Sequence, residues 1–214
     1  MKKSTIAVLA IILISIAIGI YFYPKMPSKM ASHWNINGEV DGYMPRFWAL
    51  FMMPIISIVM FFMFIIIPKI DPLKKNIKKF RKYFDAFIVL IIVFLMYIHF
   101  LTLAWNLGYK FSMNLMIPPA IGILFYYCGI LIEKAKRNWF IGIKTPWTLS
   151  SDKVWNKTHK LGGKLFKLAG IISILSIFIP KYSFWFVIIP AILFSIYIIV
   201  YSYVIYQKLK KKRR

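Results

Sequence analysis

The chain has 214 residues, of which 60% are hydrophobic, 18% aromatic and only 16% charged, a balance far more apolar than that of a soluble domain of this size. Its 29 Lys and Arg face six Asp and Glu for a formal charge of +23, so where that charge sits decides between nucleic acid and membrane as the partner. The single cysteine, Cys128, lies in an apolar run and excludes an intrachain disulfide, a multi-cysteine zinc site and an iron–sulfur cluster.

A bilayer core of about 30 Å needs about 20 helical residues. Uncharged runs long enough to cross occupy residues 4–24, 47–68, 86–109, 111–132 and 182–207. A sixth span is expected over 161–180, with Lys164 and Lys167 snorkelling to the interface. The apolar stretch after the N-terminal Met-Lys-Lys exceeds a signal-peptide core and lacks a small-residue cleavage site, so it is expected to be a permanent helix. With six spans and the N-terminus inside, 24 basic residues lie on the inner side and five outside, as the positive-inside tendency requires. The expected class is an all-α, polytopic integral membrane protein with six transmembrane helices and both termini cytoplasmic. Because the basic runs abut membrane spans, the partner is the lipid bilayer and no direct nucleic-acid role is expected.

The first connection, residues 25–46, reads as a structured outer loop. Asn37-Gly38 and Asp41-Gly42 are strong turn dipeptides and predict two tight turns four residues apart. His33, Trp34, Asn35, Asp41 and Tyr43 are the candidates for a ligand-docking surface there; the alternative is a cap closing the first two helices. His33, Glu39 and Asp41 do not make a metal site, because no second histidine follows at ligand spacing and both carboxylates adjoin turn glycines. The inner connection 69–83 is basic, and its Phe80 and Tyr83 are expected to face the membrane.

His99 is the one titratable residue well inside an uncharged span, with Thr102 nearly on its face. A neutral histidine bonded to a neighbouring helix is the structural reading, and a polar group facing a pathway the functional one. Asp85 and Glu133, at inner helix ends beside lysines, are expected to form surface pairs.

The inner loop 133–164 contains NWFIGIKTPWTLSSDKVWNKTHKLGGK, residues 138–164. Its first half is expected to be irregular and anchored by Trp139, Phe140 and Trp147, with Thr145 held extended by Pro146. Ser150 or Ser151 then caps a helix with Asp152 in its first turn. Val154, Trp155, Thr158 and Leu161 share one face and Lys153, Asn156, Lys157 and Lys160 the other, an interfacial helix expected to end at a flexible Gly162-Gly163 pair. Such a loop serves either as a brace or as a surface for a cytoplasmic partner.

No catalytic set is present: there is no H-E-x-x-H, no G-x-S-x-G and no glycine-rich phosphate loop. His159 is more than two helical turns from Ser150 and Ser151, too far for direct proton transfer. The chain is not expected to be an enzyme or to carry a cofactor or metal.

The 138–164 stretch resembles the signature of the SdpI family, and HWNINGEVDGY resembles a short membrane domain found on the N-terminal side of SdpI-like proteins. The family pattern falls on Asn138, Trp139, Gly142, Thr145, Pro146, Trp147, Thr148, Leu149, Trp155, Thr158, His159, Gly162 and Gly163, with Lys144 where arginine is expected. The resemblance implies a multipass immunity protein of the cell membrane without catalytic activity. It would protect against a secreted, membrane-active toxin peptide and, in some members, hold a cytoplasmic transcriptional repressor at the membrane. The organisation that follows is an N-terminal two-helix unit, 1–68; the basic connection, 69–83; an SdpI-like four-helix unit, 84–207; and a basic cytoplasmic tail, 208–214. A small-molecule permease or exporter using His99 and Thr102, and a purely regulatory membrane receptor, are the other classes this sequence allows.

Overall fold

The computed structural model describes residues 3–211, and six helices among them are long and apolar enough to cross a membrane. In chain order the elements are α1 (Lys3–Phe22), β1 (Lys29–Trp34), β2 (Val40–Pro45), α2 (Arg46–Ile70), α3 (Lys74–Lys79), α4 (Arg81–Asn106), α5 (Met113–Lys134), α6 (Pro146–Ser150), α7 (Asp152–Leu175) and α8 (Ser183–Lys211). A helix can satisfy its backbone groups internally, as hydrocarbon demands, and large apolar side chains such as Leu13, Val59, Phe62, Phe100, Ile123 and Leu193 stay on the surfaces of the long helices for lipid. The chain is an all-α polytopic membrane protein with one small β-hairpin. The last three residues of the expected basic tail, 212–214, lie outside the described residues.

The helices cluster into two compact units interleaved along the chain. The first holds the residues up to Phe64 together with Ile88–Ile117; the second holds Ile65–Phe87 together with the residues from Pro118 onward.

In the first unit, β1 and β2 pair antiparallel, with Lys29 opposite Pro45 and Ala31 opposite Tyr43. The turn at Asn37-Gly38 forms as expected, with Gly38 at φ 83. The expected second turn does not form: Asp41 and Gly42 lie inside β2, opposite His33 at an irregularity in the register. Glycine is required there by contact, since a Cβ on Gly42 would stand 2.8 Å from that of His33. Beneath the hairpin Met26, Met30, Ala49, Leu50 and Leu103 form a buried cluster, which anchors this polar element on an apolar base.

In the second unit, α7 runs unbroken through Gly162 and Gly163, so the expected flexible joint before the fifth span is corrected to a continuous helix. Both glycines are buried, and they are present for close packing. A Cβ on Gly163 would collide with Glu133 and the Gly129 backbone; one on Gly170 would come within 2.5 Å of the Gly122 carbonyl oxygen. Small residues thus let α5 and α7 approach backbone to backbone. The expectation for Phe80 is also corrected: it is 1% exposed, buried with Ile77 and Phe84 inside this unit, while Tyr83 is half-buried. Asp85 pairs with Arg81 at 2.5 Å and Glu133 with Lys167 at 2.8 Å.

Candidate functional site

The hairpin presents a polar face on a fixed frame. Asn35 shapes its turn: the side-chain oxygen accepts from the backbone N–H of Asn37 and Glu39, and the amide donates to the Glu39 carboxylate. His33 and Asp41 meet across the strands, Nδ1 to Oδ1 at 2.5 Å, with their side chains 70% and 45% exposed. Tyr43 is exposed, whereas Trp34 packs edge-on against Trp105 at 5.6 Å between ring centroids and its buried Nε1 has no partner among the described residues. The five predicted residues therefore divide in function: His33, Asp41 and Tyr43 are presented, and Trp34 and Asn35 hold the hairpin.

Sequence reading missed the residues that fix this hairpin from below. Asn106, at the end of α4, accepts from the Ala31 N–H at 2.8 Å and donates to the Ala31 carbonyl at 3.0 Å, imitating a neighbouring strand. Asn114 donates to the Ile36 carbonyl at 2.7 Å. Both are separated from their partners by more than seventy residues, and nothing local signals the pairing.

The 138–163 loop is knotted by hydrogen bonds. Asn138 is fully buried and saturated: its oxygen accepts from Phe140 N and Ile141 N, while its amide donates to the Lys136 and Ile141 carbonyls. Gly142 follows at φ +114, a backbone state that suits glycine. Thr145 N-caps α6 with Pro146 at its first position, and Thr145 and Thr148 exchange side-chain and backbone bonds in a capping box. Ser151 caps α7 as expected. Trp155 donates from Nε1 to the Ala135 carbonyl at 2.9 Å and stacks on His159 at 3.8 Å.

His159 is committed on both nitrogens, to the Trp155 carbonyl through Nδ1 and to the Ile143 N–H through Nε2. Trp147 packs on Tyr203 of α8, and Thr145 bonds Ser202 at 3.1 Å. Trp139 remains exposed; Thr158 is buried, its hydroxyl without a partner among the described residues.

Here too the partners lie outside the motif. Asp71 accepts from Leu73 N and Trp139 N, Asn76 donates to the Arg137 carbonyl, and Arg137 bridges Asp152 and the Leu149 carbonyl. A groove of about 640 Å³ beside the start of α7 is lined by Arg137, Ser151, Asp152, Lys153, Tyr206 and Lys210.

His99, in α4, is 1% exposed, but neither ring nitrogen has a hydrogen-bond partner, so the expected bond to a neighbouring helix is absent among the described residues. It lines a crevice with Ser15 of α1, Met53 and Ser57 of α2, and Met96; Thr102 is not part of that lining.

Comparison with known proteins matches the inner-loop motif to the family it resembles. Residues 134–203 match the SdpI/YfhL protein family, and residues 10–58 match a family described as a domain of unknown function (DUF1648). Along its whole length the chain is 27% identical to Immunity protein SdpI of Bacillus subtilis (strain 168), covering all of that protein as well. No solved structure matches. Residues 134–203 thus carry the SdpI/YfhL signature, and along its whole length the chain is similar to an immunity protein of that name.

Proposed function

We propose that this protein is an immunity protein of the cell membrane that protects its host from a membrane-active toxin peptide. The observation that carries this reading is the similarity to Immunity protein SdpI over the full length of both chains. Positive-inside charge placement puts both termini and the 138–163 loop in the cytoplasm and the hairpin outside. On that side His33, Asp41 and Tyr43 form the docking face, held in position by Asn35, Asn106 and Asn114. A peptide bound there shifts the helices only to the extent that it prefers one arrangement of them.

Inside the cell, the exposed Trp139 and the groove beside α7 offer a surface for a cytoplasmic transcriptional repressor, and its retention at the membrane is the second part of the proposal. The role is non-catalytic: the loop histidine that could serve as a base, His159, spends both nitrogens on backbone partners. A permease reading draws on His99, but the crevice beside it is too narrow to hold a water molecule.

The test is survival of a toxin-sensitive bacterium lacking its own immunity protein. Expression of this chain raises survival, and Tyr43→Ala removes the gain while membrane insertion persists. Survival unchanged across several such peptides contradicts the proposal. Recovery of a DNA-binding protein with the membranes, lost in Trp139→Ala, tests the second part.

A further inference from the structure

We propose that the crevice beside His99 binds a monovalent soft metal ion, Cu(I) or its analogue Ag(I). Three observations meet there. The imidazole is 1% exposed with both nitrogens unpartnered among the described residues, although buried polar groups are nearly always paired. The space it faces is too narrow for a water molecule to supply the missing bond. Two thioether side chains, Met53 and Met96, line the same crevice.

Helical spacing sets the lining residues on one face of each helix. Met96 and His99 are three residues apart on α4, which places both on one face of the helix; Met53 and Ser57 are four apart on α2. Ser15, on α1, does not compete for the imidazole as a donor, because its hydroxyl donates to the Ile12 carbonyl at 2.7 Å.

The donor set selects the ion. Two thioethers and one neutral imidazole are soft and borderline ligands of the kind that hold Cu(I). Hard cations such as Mg²⁺ and Ca²⁺ need several oxygen ligands, often carboxylates, and the crevice contains no carboxylate. Structural zinc takes four ligands, usually thiolates and imidazoles, of which only one imidazole is present. With only neutral ligands, a single positive charge is also the less costly one to place in an apolar bundle. The bound ion would tie α2 to α4 within the first unit and satisfy one of the two orphaned ring nitrogens.

The test uses the full-length protein in detergent, in a Cys128→Ala background that removes the one thiol, titrated calorimetrically with Ag(I) in chloride-free buffer. One Ag(I) binds per chain, and His99→Leu, Met53→Leu and Met96→Leu each weaken it at least tenfold, while His33→Ala leaves it unchanged. The methionine variants conserve volume, so they decide the matter even if His99→Leu does not fold. The silver absorption edge shows sulfur together with nitrogen neighbours. Absence of binding in the parent, binding unaffected by Met53→Leu and Met96→Leu, or binding lost with His33→Ala overturns the assignment.

Discussion

The Nε2 atom of His159 accepts a hydrogen bond from the backbone N–H of Ile143 at 3.0 Å. Because Nδ1 lies 2.9 Å from the Trp155 carbonyl, which can only accept, the ring is neutral and carries its proton on Nδ1. One side chain of α7 therefore closes the loop through Nε2, while Nδ1 fixes its ring on the helix. His159→Ala leaves the Ile143 N–H unpaired and is expected to cost about 1–3 kcal/mol. Gly142→Ala acts on the same contact from the other side, since its Cβ would lie 2.5 Å from Nε2 on a backbone at φ +114. It is expected to cost more than about 1 kcal/mol. Thermal unfolding of each variant in detergent checks both values.

Asn138 makes four hydrogen bonds from a fully buried position, and no replacement reproduces both its donors and its acceptors. Asn138→Ala is expected to open residues 139–144 to protease while the six long helices persist, with a loss of about 2–4 kcal/mol if each bond contributes near the usual 1 kcal/mol. Limited proteolysis of inverted vesicles, read by mass spectrometry, locates the cut. Cleavage no faster than in the parent would mean that the loop is held elsewhere.

The glycine pair separates two mechanisms. At Gly162 an added Cβ meets the flexible end of Ile143, but at Gly163 it meets the Gly129 backbone and the Glu133 side chain. Gly163→Ala is therefore expected to destabilise by about 1–3 kcal/mol, the usual penalty for overpacking, and Gly162→Ala by less. Equal midpoints in a thermal melt would contradict the backbone-contact explanation.

Protection and folding should come apart at the hairpin. The His33–Asp41 pair is exposed and is expected to contribute at most about 1 kcal/mol, so Asp41→Asn and Tyr43→Ala leave stability nearly unchanged while reducing survival under peptide. Asn106→Ala removes the partner of β1 and is expected to lower both together. Melts and survival curves on the same variants distinguish the two groups.

Length and charge made the spans legible, because an uncharged run of about 20 residues has few alternatives to a helix across hydrocarbon. The cap at Ser151 and the division of α7 into Val154, Trp155 and Thr158 against Lys153, Asn156 and Lys157 were also readable, since both are local. What failed depended on distance. Asp41-Gly42 has the composition of a turn, but pairing with β1 draws it into a strand, and Gly162-Gly163 reads as a break until α5 is packed against it. Phe80 looks like a membrane anchor until its unit closes over it. The partners that hold the two loops from a distance, Asn106, Asn114, Asp71 and Ser202, belong to neither motif. A pattern read along the chain has no access to contacts made 57 to 78 residues away.

Membrane potential in a toxin-sensitive bacterium lacking its own immunity protein is the most direct readout. A voltage-sensitive dye would follow cells carrying this chain, or its Tyr43→Ala variant, during exposure to a membrane-active killing peptide. Maintained potential with the parent chain and collapse with Tyr43→Ala is the expected result. Collapse with both, despite confirmed insertion of the parent protein, would contradict a protective role against that peptide.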